Sequence, residues 1–274
     1  MSLHTVADAF AQARADGVDR LDAQLMLSAC MQQSRTWLIA NADAPLAVAS
    51  SNTFLSWLRR RAAGEPLAYI LGEKEFHGLL LKVNRHVLVP RPDTETLVDW
   101  ALEAMQVAST PKVVDLGTGS GAIALAVKQS HPAAQVTATD ASDEALAIAR
   151  DNGQRLGLSV RWKLGSWWKP LAGQRFDIAL SNPPYINDDD HHLAALAHEP
   201  RSALTAGTDG LDDIRVIVSG AREHLVPGGW LMLEHGHDQA RSVAGLLADA
   251  GFVDIASRRD LAGIERCTGA RAPH

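Results

Sequence analysis

The hydrophobic residues in the first part of the chain follow the spacing of amphipathic helices. Up to about Gly64, apolar residues recur every three or four positions, as at Val6, Ala9 and Ala13, and this period places them on one face of a helix. Asp22 is placed where it can cap the second of these helices. The pattern therefore predicts a small all-α domain over residues 1–73.

The next part of the chain is prone to β structure. Two short runs, 79–83 and 87–89, lie on either side of three polar residues, and two such runs around a turn indicate a hairpin. We assign this hairpin to a linker over residues 74–90. Asp93 or Thr94 can then cap the helix that follows.

From Pro111 onward, short apolar runs alternate with stretches of helical periodicity. This alternation predicts βα units on a mostly parallel sheet, in an α/β domain that covers residues 91–274. Residues 227–229, Pro-Gly-Gly, predict a turn before the fifth strand. The predicted strands are 112–116, 135–139, 160–164, 176–180, 230–234 and 252–256, with 264–268 as a last one.

Composition and charge narrow the classes of function. Of the 274 residues, 46% are hydrophobic and 21% are charged, which is ordinary for a globular protein. The net charge of −6 argues against a protein whose main affinity comes from the phosphates of nucleic acid, so no direct nucleic-acid binding is expected. Arg59, Arg60 and Arg61 are expected to form a solvated basic helix end.

The sequence has no pattern of a membrane or secretory protein. No apolar run approaches the roughly 18 residues that a membrane span needs, and the N-terminus lacks the basic-then-apolar pattern of a secretory signal. Only Cys30 and Cys267 are present, far apart in sequence, which gives no disulfide framework and no zinc pattern. We therefore expect a cytoplasmic protein with no membrane partner.

The stretch Asn182-Pro183-Pro184-Tyr185 is a candidate for chemistry. It follows the predicted strand 176–180, and open α/β sheets bind ligands beyond the carboxyl ends of their strands. The two prolines fix the backbone and leave carbonyl oxygens free as acceptors. The segment can therefore grip a planar amide or amine between in-plane acceptors and an aromatic ring. An ordinary turn at a strand end is the alternative.

A glycine-rich turn, Gly117-Thr118-Gly119-Ser120-Gly121, follows the first predicted strand of the sheet. Glycines allow a tight turn and a close approach of the backbone to a ligand, but the spacing differs from the dinucleotide fingerprint. Asp140 ends the next strand about twenty residues later, where a carboxylate can accept hydrogen bonds from both ribose hydroxyls. The alternative for Asp140 is an N-cap of the helix that begins near Ser142.

The glycine-rich turn, Asp140 at the next strand end and the Asn-Pro-Pro-Tyr motif together resemble the class I methyltransferases that use S-adenosylmethionine. The resemblance covers roughly residues 112–274 and implies a Rossmann-like sheet of seven strands, mostly parallel, with the last strand antiparallel. It also implies S-adenosyl-L-methionine as the methyl donor and S-adenosyl-L-homocysteine as the product. The Asn-Pro-Pro-Tyr motif is similar to that of the subset that methylates planar nitrogens.

Three further segments narrow the resemblance: Glu75-Phe76-His77-Gly78, residues 87–95 and His198-Glu199-Pro200. With the Asn-Pro-Pro-Tyr motif and the helical domain, they resemble the peptide chain release factor glutamine methyltransferases over nearly the whole chain. One departure is Asp93, where that family usually has glutamate. The resemblance implies methylation of the N5 amide nitrogen of the glutamine in the Gly-Gly-Gln motif of class 1 peptide chain release factors. These factors would be the protein partner, and their methylation modulates translation termination.

The resemblance also assigns roles residue by residue. The aromatic residue that the family places beside adenine corresponds to Trp167. Ser166 precedes it, at a position where relatives commonly have an acidic residue. Trp168, which follows it, is expected to pack in the core. The implied cofactor-binding residues are Gly117, Thr118, Gly119, Ser120, Gly121, Asp140, Trp167 and Asn182. The implied substrate-binding residues are Asn182, Pro183, Pro184 and Tyr185, of which Asn182, Pro183 and Tyr185 are catalytic because they orient the amide.

The implied reaction needs no metal, because the methyl group of a sulfonium is already activated. His191-His192, and His235 with His237, lack a matching set of cysteine or carboxylate ligands. They are expected to be surface or loop histidines, and 188–190, three aspartates, are expected to form a solvated loop. Glu234 ends the fifth predicted strand and receives no role.

Three alternatives stay open. A ribosomal-protein glutamine N5-methyltransferase shares much of the sheet. A nucleic-acid adenine N6-methyltransferase would use the same grip on an exocyclic amine, but it needs a basic surface that follows the phosphate backbone. A non-catalytic module that binds a nucleoside or a partner is disfavoured, because the glycine turn, the acidic strand end and Asn182–Tyr185 are all intact.

Overall fold

The structure is a computed structural model that describes residues 3–106 and 109–274. The chain forms two compact units, residues 1–73 and 74–274. The predicted division into 1–73, 74–90 and 91–274 includes residues 1, 2, 107 and 108, which lie outside the described residues. No helix in the described ranges has the length and apolar character needed to cross a membrane.

The first unit is helical. Thr5 begins its first helix with a reciprocal cap, in which the Thr5 side chain accepts from the Asp8 N–H and the Asp8 carboxylate accepts from the Thr5 N–H, each over 3.1 Å. Phe54, Leu58 and Leu38 are fully buried in its core. The helices of this unit are α1 (Val6–Ala15), α2 (Arg20–Met31), α3 (Arg35–Ala40), α4 (Val48–Ala62) and α5 (Leu67–Leu71).

The predicted cap of α2 is wrong. Asp19 is the N-cap and accepts from the N–H of the second helical residue over 2.7 Å, because the helical backbone already begins one residue after it. Asp22 lies in the first turn and forms an ion pair with Arg61 of α4, over 2.6 Å. Arg60 pairs in the same way with Glu65, also over 2.6 Å. The end of α4 is therefore largely neutralised, whereas the sequence predicts a solvated basic end.

The hairpin lies earlier in the chain than predicted. Its strands are β1 (Glu73–Phe76) and β2 (Leu79–Lys82), joined by His77 and Gly78. Both turn residues have positive φ, 49° and 76°, a conformation for which Asn-Gly, Asp-Gly and Gly-Gly are the preferred pairs in hairpin turns. The predicted second strand, 87–89, is a loop, because its last N–H donates to a buried carboxylate over 3.1 Å and not to a strand.

A seven-stranded sheet forms the centre of the second unit. Its strands are β3 (Lys112–Leu116), β4 (Gln135–Asp140), β5 (Arg161–Leu164), β6 (Phe176–Ser181), β7 (Leu225–Glu234), β8 (Val253–Arg259) and β9 (Glu265–Arg271). Within the described residues their order is β5-β4-β3-β6-β7-β9-β8; β9 pairs antiparallel with β7 and with β8, and the other pairs are parallel. The predicted α/β fold, with a mostly parallel seven-stranded sheet and an antiparallel last strand, is confirmed.

Helices cover both faces of this sheet. Val113 belongs to the core on the side of α6 and α7, and Val114 belongs to the core on the side of α9 and α10, because successive side chains of a strand point to opposite faces. The helices of this unit are α6 (Glu95–Met105), α7 (Ala122–Ser130), α8 (Asp143–Leu156), α9 (Asp212–His224) and α10 (Ala240–Asp249). The strand order reverses at β3, which places a cleft at the carboxyl ends of β3 and β6.

Residues 227–229 do not form a separate turn, so this prediction is also wrong. They lie inside β7. The first and third residues of β6 pair with Leu225 and Trp230, so the four residues 226–229 face a single residue of β6, as in a bulge. The two glycines exchange backbone hydrogen bonds with Ala272 over 3.0 and 2.8 Å, and the strand therefore continues through the irregular segment.

Trp168 packs in the core, as predicted, and it depends on a glycine of α9. Its side chain is buried and its indole N–H donates to the Ile217 carbonyl over 2.8 Å. A Cβ added at Gly220 would lie 2.4 Å from Trp168 Cδ1. We expect Gly220→Ala to lower the free energy of unfolding by roughly 1–3 kcal/mol through overpacking, as measured by urea denaturation.

The matched control for this substitution is Gly245→Ala in α10, where an added Cβ meets no described atom within 4 Å. Alanine is favoured over glycine inside a helix by about 0.5–1 kcal/mol, so this variant is expected to be slightly more stable than the wild type. If Gly220→Ala unfolded at the same urea concentration as the wild type, the close contact between α9 and Trp168 would be contradicted.

Candidate active site

The glycine-rich turn between β3 and α7 is held against the end of β4. The Thr139 carbonyl accepts from the N–H groups of Gly117 and Thr118, each over 2.9 Å. Gly117 and Gly119 have φ values of 73° and 56°, a left-handed backbone that glycine adopts without steric cost. The Asp140 carboxylate accepts from the Gly119 N–H over 2.8 Å and so joins the turn to the strand end.

Asp140 is not the cap of α8. The N-cap is Ser142, whose hydroxyl accepts from the Ala145 N–H over 3.1 Å. Asp140 lies two residues before this cap and accepts from the Ser142 N–H over 2.9 Å. Burial raises the pKa of the Asp140 carboxyl, and hydrogen bonds from backbone N–H groups oppose this shift. A desolvated carboxylate with fixed donors on one side keeps acceptor lone pairs for a ligand on the other.

Trp167 has a backbone conformation that bulky residues rarely adopt. Its φ of 49° lies in the left-handed region, which costs on the order of 1–3 kcal/mol for a residue other than glycine and occurs mainly at functional sites. The ring lies against Gly117, where an added Cβ would be 2.9 Å from Trp167 Cζ3. The Trp167 carbonyl accepts from the Thr139 hydroxyl over 3.3 Å, and the Trp167 side chain lies close enough to the Asp213 carboxyl to lower its pKa, against the opposing effect of burial. Contacts of its backbone and of its ring therefore fix the position of Trp167.

The segment after β6 is fixed at both ends. Asn182 Nδ2 donates to Thr94 Oγ1 over 3.1 Å. Tyr185 Oη donates to Glu234 Oε1 over 3.3 Å, and burial, reinforced by the nearby Glu234 carboxyl, raises the pKa of Tyr185 above its ordinary range. The prolines between them are buried. The first and last residues of the motif thus have defined orientations.

A cavity of about 380 Å³ opens between these segments, and its size is that of a small-ligand site. The predicted site residues that line it are Gly117, Thr118, Gly119, Ser120, Asp140, Trp167, Asn182 and Pro184. Three other predicted site residues, Gly121, Pro183 and Tyr185, belong to the described part of the chain but do not line the cavity. The predicted stacking of Tyr185 on the substrate amide, and the roles of the other two, stay predictions.

Two family models match this chain. One, described as PrmC N-terminal domain, matches residues 3–72, and the other, described as methyltransferase small domain, matches residues 94–248. The release factor glutamine methyltransferase of Bordetella pertussis is 48% identical over 256 residues, which cover 92% of this chain and 95% of the relative. The enzyme of Xylella fastidiosa is 46% identical, over 95% of this chain and 96% of its own length. That of Salmonella typhimurium is 41% identical, over 98% of each chain. The chain belongs to the release factor glutamine methyltransferase family.

Membership in this family confirms the resemblance inferred from the sequence motifs. Two solved structures share the fold of this chain. A methyltransferase from Pyrococcus furiosus has a TM-score of 0.54 at 19% identity and covers 72% of this chain and 90% of its own. The hMettl16 catalytic domain in complex with MAT2A 3'UTR hairpin 6 has a TM-score of 0.57 at 15% identity. The match covers 82% of this chain and 81% of that domain. At such identities the likeness concerns the fold alone.

The cavity lining of this release factor glutamine methyltransferase family member also includes residues that the sequence does not predict as site residues, among them Arg91, Thr94 and Asp213. Arg91 forms an ion pair with Glu199, so the two signature segments 87–95 and 198–200 meet at the cavity. The sequence signal that could have identified Arg91 as a site residue is its position in the signature segment 87–95. For Thr94 the sequence pattern indicates only a helix cap, yet its side chain makes no cap bond. Asp213 carries no sequence signal beyond its place in the first turn of α9.

Two buried carboxyl groups lie below the cavity. Burial raises the pKa of Asp115 and of Glu234 to about 7 in each case. For Glu234, a folded pKa above the ordinary 4.5 means that the folded chain holds a proton that the unfolded chain releases between these two values. Stability from this group is therefore present at low pH and is lost as pH rises to about 7. The wild type is expected to unfold more easily at pH 8 than at pH 5.5, by roughly 1–3 kcal/mol from this group.

Glu234→Gln removes the titrating group, so its loss of stability between the two pH values is expected to be smaller than that of the wild type. Urea denaturation at both pH values measures the difference. Glu223→Gln, an exposed position on α9, is the control and should keep the pH dependence of the wild type. The same pH dependence in Glu234→Gln and in the wild type would contradict a raised pKa of Glu234.

The histidine groups divide into two kinds. His191 and His192, with Asp190, place possible ligand atoms within 4.8 Å of one another, and the side chains of both histidines are exposed. His235 lies in the loop that follows β7, in agreement with the loop alternative, but it is buried and not at the surface. Its Nε2 lies 2.8 Å from Thr268 Oγ1, and burial lowers its pKa, so a neutral ring is packed in the sheet. The expectation of no metal stays a prediction.

Proposed function

We propose that this cavity transfers the methyl group of S-adenosyl-L-methionine to the N5 amide nitrogen of the glutamine in the Gly-Gly-Gln motif of class 1 peptide chain release factors. Family membership supports this proposal. The observation that carries it is the shared cavity of Asp140 and Asn182, because a nucleoside-recognising carboxylate and an amide-gripping side chain there face the same space. We also propose that the enzyme acts in the cytoplasm.

The cavity fits the proposed methyl donor. Asp140 offers a carboxylate for the ribose hydroxyls, and the turn at Gly117 and Gly119 lacks side chains that would occupy the space. Trp167 presents a fixed aromatic face on the same wall. Asp213 lies beside Trp167, so an acidic acceptor is present where Ser166 cannot supply one. We assign these residues to donor binding, with S-adenosyl-L-homocysteine as the product and no metal involved.

The bound donor would supply a methyl group that is already electrophilic. The work left to the protein is therefore to align the acceptor nitrogen and to exclude water. An amide nitrogen is a poor nucleophile because its lone pair is delocalised into the carbonyl. Asn182 donates through Nδ2 to Thr94, which leaves Oδ1 to accept from the substrate N–H, and the Pro183 carbonyl would accept from the second N–H. These bonds accelerate transfer only if they strengthen as the nitrogen becomes pyramidal. Once methylated, the nitrogen is acidic and loses its extra proton to water.

The test of the activity is incubation with labelled S-adenosylmethionine and purified release factor. Label is expected in the release factor with an intact Gly-Gly-Gln motif and not in one whose glutamine is replaced by alanine. Ribosomal protein, DNA and RNA serve as alternative acceptors in parallel reactions. If one of these acceptors became labelled and the release factor did not, the proposal would be overturned in favour of the ribosomal-protein or adenine alternative.

We further propose that residues 1–73 recognise the release factor while its Gly-Gly-Gln loop enters the cavity. Support comes from the match to the PrmC N-terminal domain over residues 3–72 and from the place of every cavity residue in the second unit. A truncated chain that starts at Lys74 is expected to lose most activity on intact release factor, since it keeps the cavity and loses the docking surface. Initial rates of labelling at limiting release factor measure this loss.

A short Gly-Gly-Gln peptide is the control substrate for the truncated chain. Because the peptide is too small to use a docking domain, the truncated and full-length chains should methylate it at similar rates. Equal rates of both chains on intact release factor would contradict a recognition role for residues 1–73. Loss of activity on the peptide as well would instead point to a damaged cavity.

A further inference from the structure

Glu234 is buried next to the Asn-Pro-Pro-Tyr segment, yet the proposed chemistry gives it no task. It is the last residue of β7 and is 1% exposed. Its Oε2 has no hydrogen-bond partner among the described residues. A buried carboxyl group with an unpaired oxygen destabilises the fold, and such a group is retained where it serves another purpose. Its neighbours indicate what that purpose is.

Two hydroxyl groups face the Glu234 carboxyl. Tyr185 Oη donates to Oε1 over 3.3 Å. The Thr94 hydroxyl lies near the same carboxyl and lowers the pKa of Glu234, but no described group is hydrogen-bonded to Oε2. Thr94 Oγ1 in turn accepts from Asn182 Nδ2 over 3.1 Å. Polar groups therefore follow one another from the buried carboxyl, past the Thr94 hydroxyl, to the residue that grips the substrate.

We propose that Glu234 is a positioning residue that acts through Thr94 to fix the side-chain amide of Asn182 with Oδ1 toward the cavity. An ionised carboxylate only accepts hydrogen bonds, so the Thr94 hydroxyl turns its proton toward Glu234. The Thr94 oxygen is then left to accept, and only the NH₂ group of Asn182 can donate to it. The opposite orientation of the Asn182 amide would present N–H groups to the N–H groups of the substrate, and both sides would be donors.

Burial disfavours the ionised form of Glu234, and several neighbouring groups oppose this effect. Arg266 lies close enough to lower the pKa of Glu234, and Asp93 opposes this effect. Cys267 is the partner of Glu234 in the β7–β9 ladder, and burial raises the pKa of that thiol above its ordinary range, so it stays neutral. Burial outweighs the neighbours that lower it and raises the pKa of the carboxyl to about 7, so the group is ionised in the mildly alkaline range.

The same contacts explain why two separate signature segments occur together. Thr94 belongs to the segment 87–95, and Asn182 begins the Asn-Pro-Pro-Tyr motif, 88 residues later. Tyr185, at the other end of that motif, reaches the same carboxyl. Glu234 therefore ties both ends of the motif to one buried group.

This inference rests on the proposed function, and three variants test it. Glu234→Gln keeps the shape but replaces one acceptor by a donor. Thr94→Val removes the hydroxyl without changing the size of the side chain, and Thr94→Ser keeps the hydroxyl. We expect Glu234→Gln and Thr94→Val each to lower kcat about 10- to 100-fold, as the loss of a group that orients a catalytic residue does. KM for release factor and the dissociation constant of S-adenosylmethionine should change little, and Thr94→Ser should stay near the wild type.

The double variant Thr94→Val/Glu234→Gln separates an orienting role from a structural one. If Glu234 acts through Thr94, the double variant is expected to be no slower than Thr94→Val alone, because the connection is already broken. Losses that multiply in the double variant would overturn the proposal. A kcat of Glu234→Gln equal to that of the wild type would also overturn it.

A measurement without substrate or donor distinguishes this inference from the proposed function. The ¹H–¹⁵N signals of the Asn182 side-chain NH₂ group can be assigned by their loss in Asn182→Ala. In the wild type and in Thr94→Ser these protons should exchange slowly with water, because they are hydrogen-bonded. In Thr94→Val they should exchange faster, and in Glu234→Gln the signals should shift. Unchanged Asn182 signals in Glu234→Gln would reject the inference, whatever the outcome of the methylation assays.

Discussion

Asn182→Ala is expected to lower the turnover of release factor methylation roughly 10²- to 10³-fold, the usual effect of removing one oriented polar contact to the transition state. The side-chain oxygen that orients the substrate nitrogen is lost, while Asp140 and the glycine turn, on another wall of the cavity, are unchanged. The affinity for S-adenosylmethionine should therefore change much less than turnover. Single-turnover labelling and calorimetric titration measure the two quantities separately.

The matched control is Asn187→Ala. Asn187 lies on the same loop, is exposed, and donates to the Thr208 carbonyl, so its loss should leave turnover near that of the wild type. Near-normal turnover in Asn182→Ala would remove this residue from the mechanism. Equal losses in the two variants would instead show that the loop as a whole had been disturbed.

Asp140→Ala is expected to weaken the binding of S-adenosylmethionine by roughly 10- to 100-fold, because two hydrogen bonds to a charged acceptor are lost. The substitution also removes the acceptor of the Gly119 N–H, which Asp140 binds over 2.8 Å. The glycine turn is then less well ordered, and this adds to the loss. Calorimetric titration of the donor into the purified enzyme measures the dissociation constant directly.

Asp143→Ala is the control for this effect. Asp143 lies at the start of α8, its side chain is exposed, and it pairs only loosely with Arg150, over 3.4 Å. Its removal should leave donor binding unchanged. If Asp140→Ala bound the donor as tightly as the wild type, Asp140 would act only on the local backbone of Gly119 and Ser142.

The sheet could be predicted from the sequence because its strands are short apolar runs bounded by glycine, proline and polar residues. The predicted run 112–116 coincides with the observed β3. The position of the hairpin could not be predicted because its turn is His77-Gly78, with a φ of 49° at His77, and not one of the pairs with asparagine, aspartate or glycine first that mark such turns. The β-prone run 87–89 became a loop because a distant side chain, Glu199, took its backbone N–H.

The site was partly predictable for a similar reason. The glycine turn, Asp140 and Asn182 each end or follow a strand, and the carboxyl ends of parallel strands lie at one edge of a sheet. Thr94, Asp213 and Glu234 could not be placed in this way. Thr94 meets Asn182 across 88 residues, and Tyr185 meets Glu234 across 49, so their contacts depend on how α6 and the strands pack and not on any local pattern.

The irregular segment inside β7 makes the two ends of that strand differ in their tolerance of changes in chain length. Residues 226–229 lie near the amino end of β7, where the strands are farthest from the cavity. A residue gained or lost there can be taken up before the ladder becomes regular at Trp230. Beyond that point, a shift of one position would exchange Leu233 with Glu234 and turn the carboxyl to the opposite face of the sheet. Insertions among homologous chains should therefore collect at the distal rim of β7 and be absent from its last five residues.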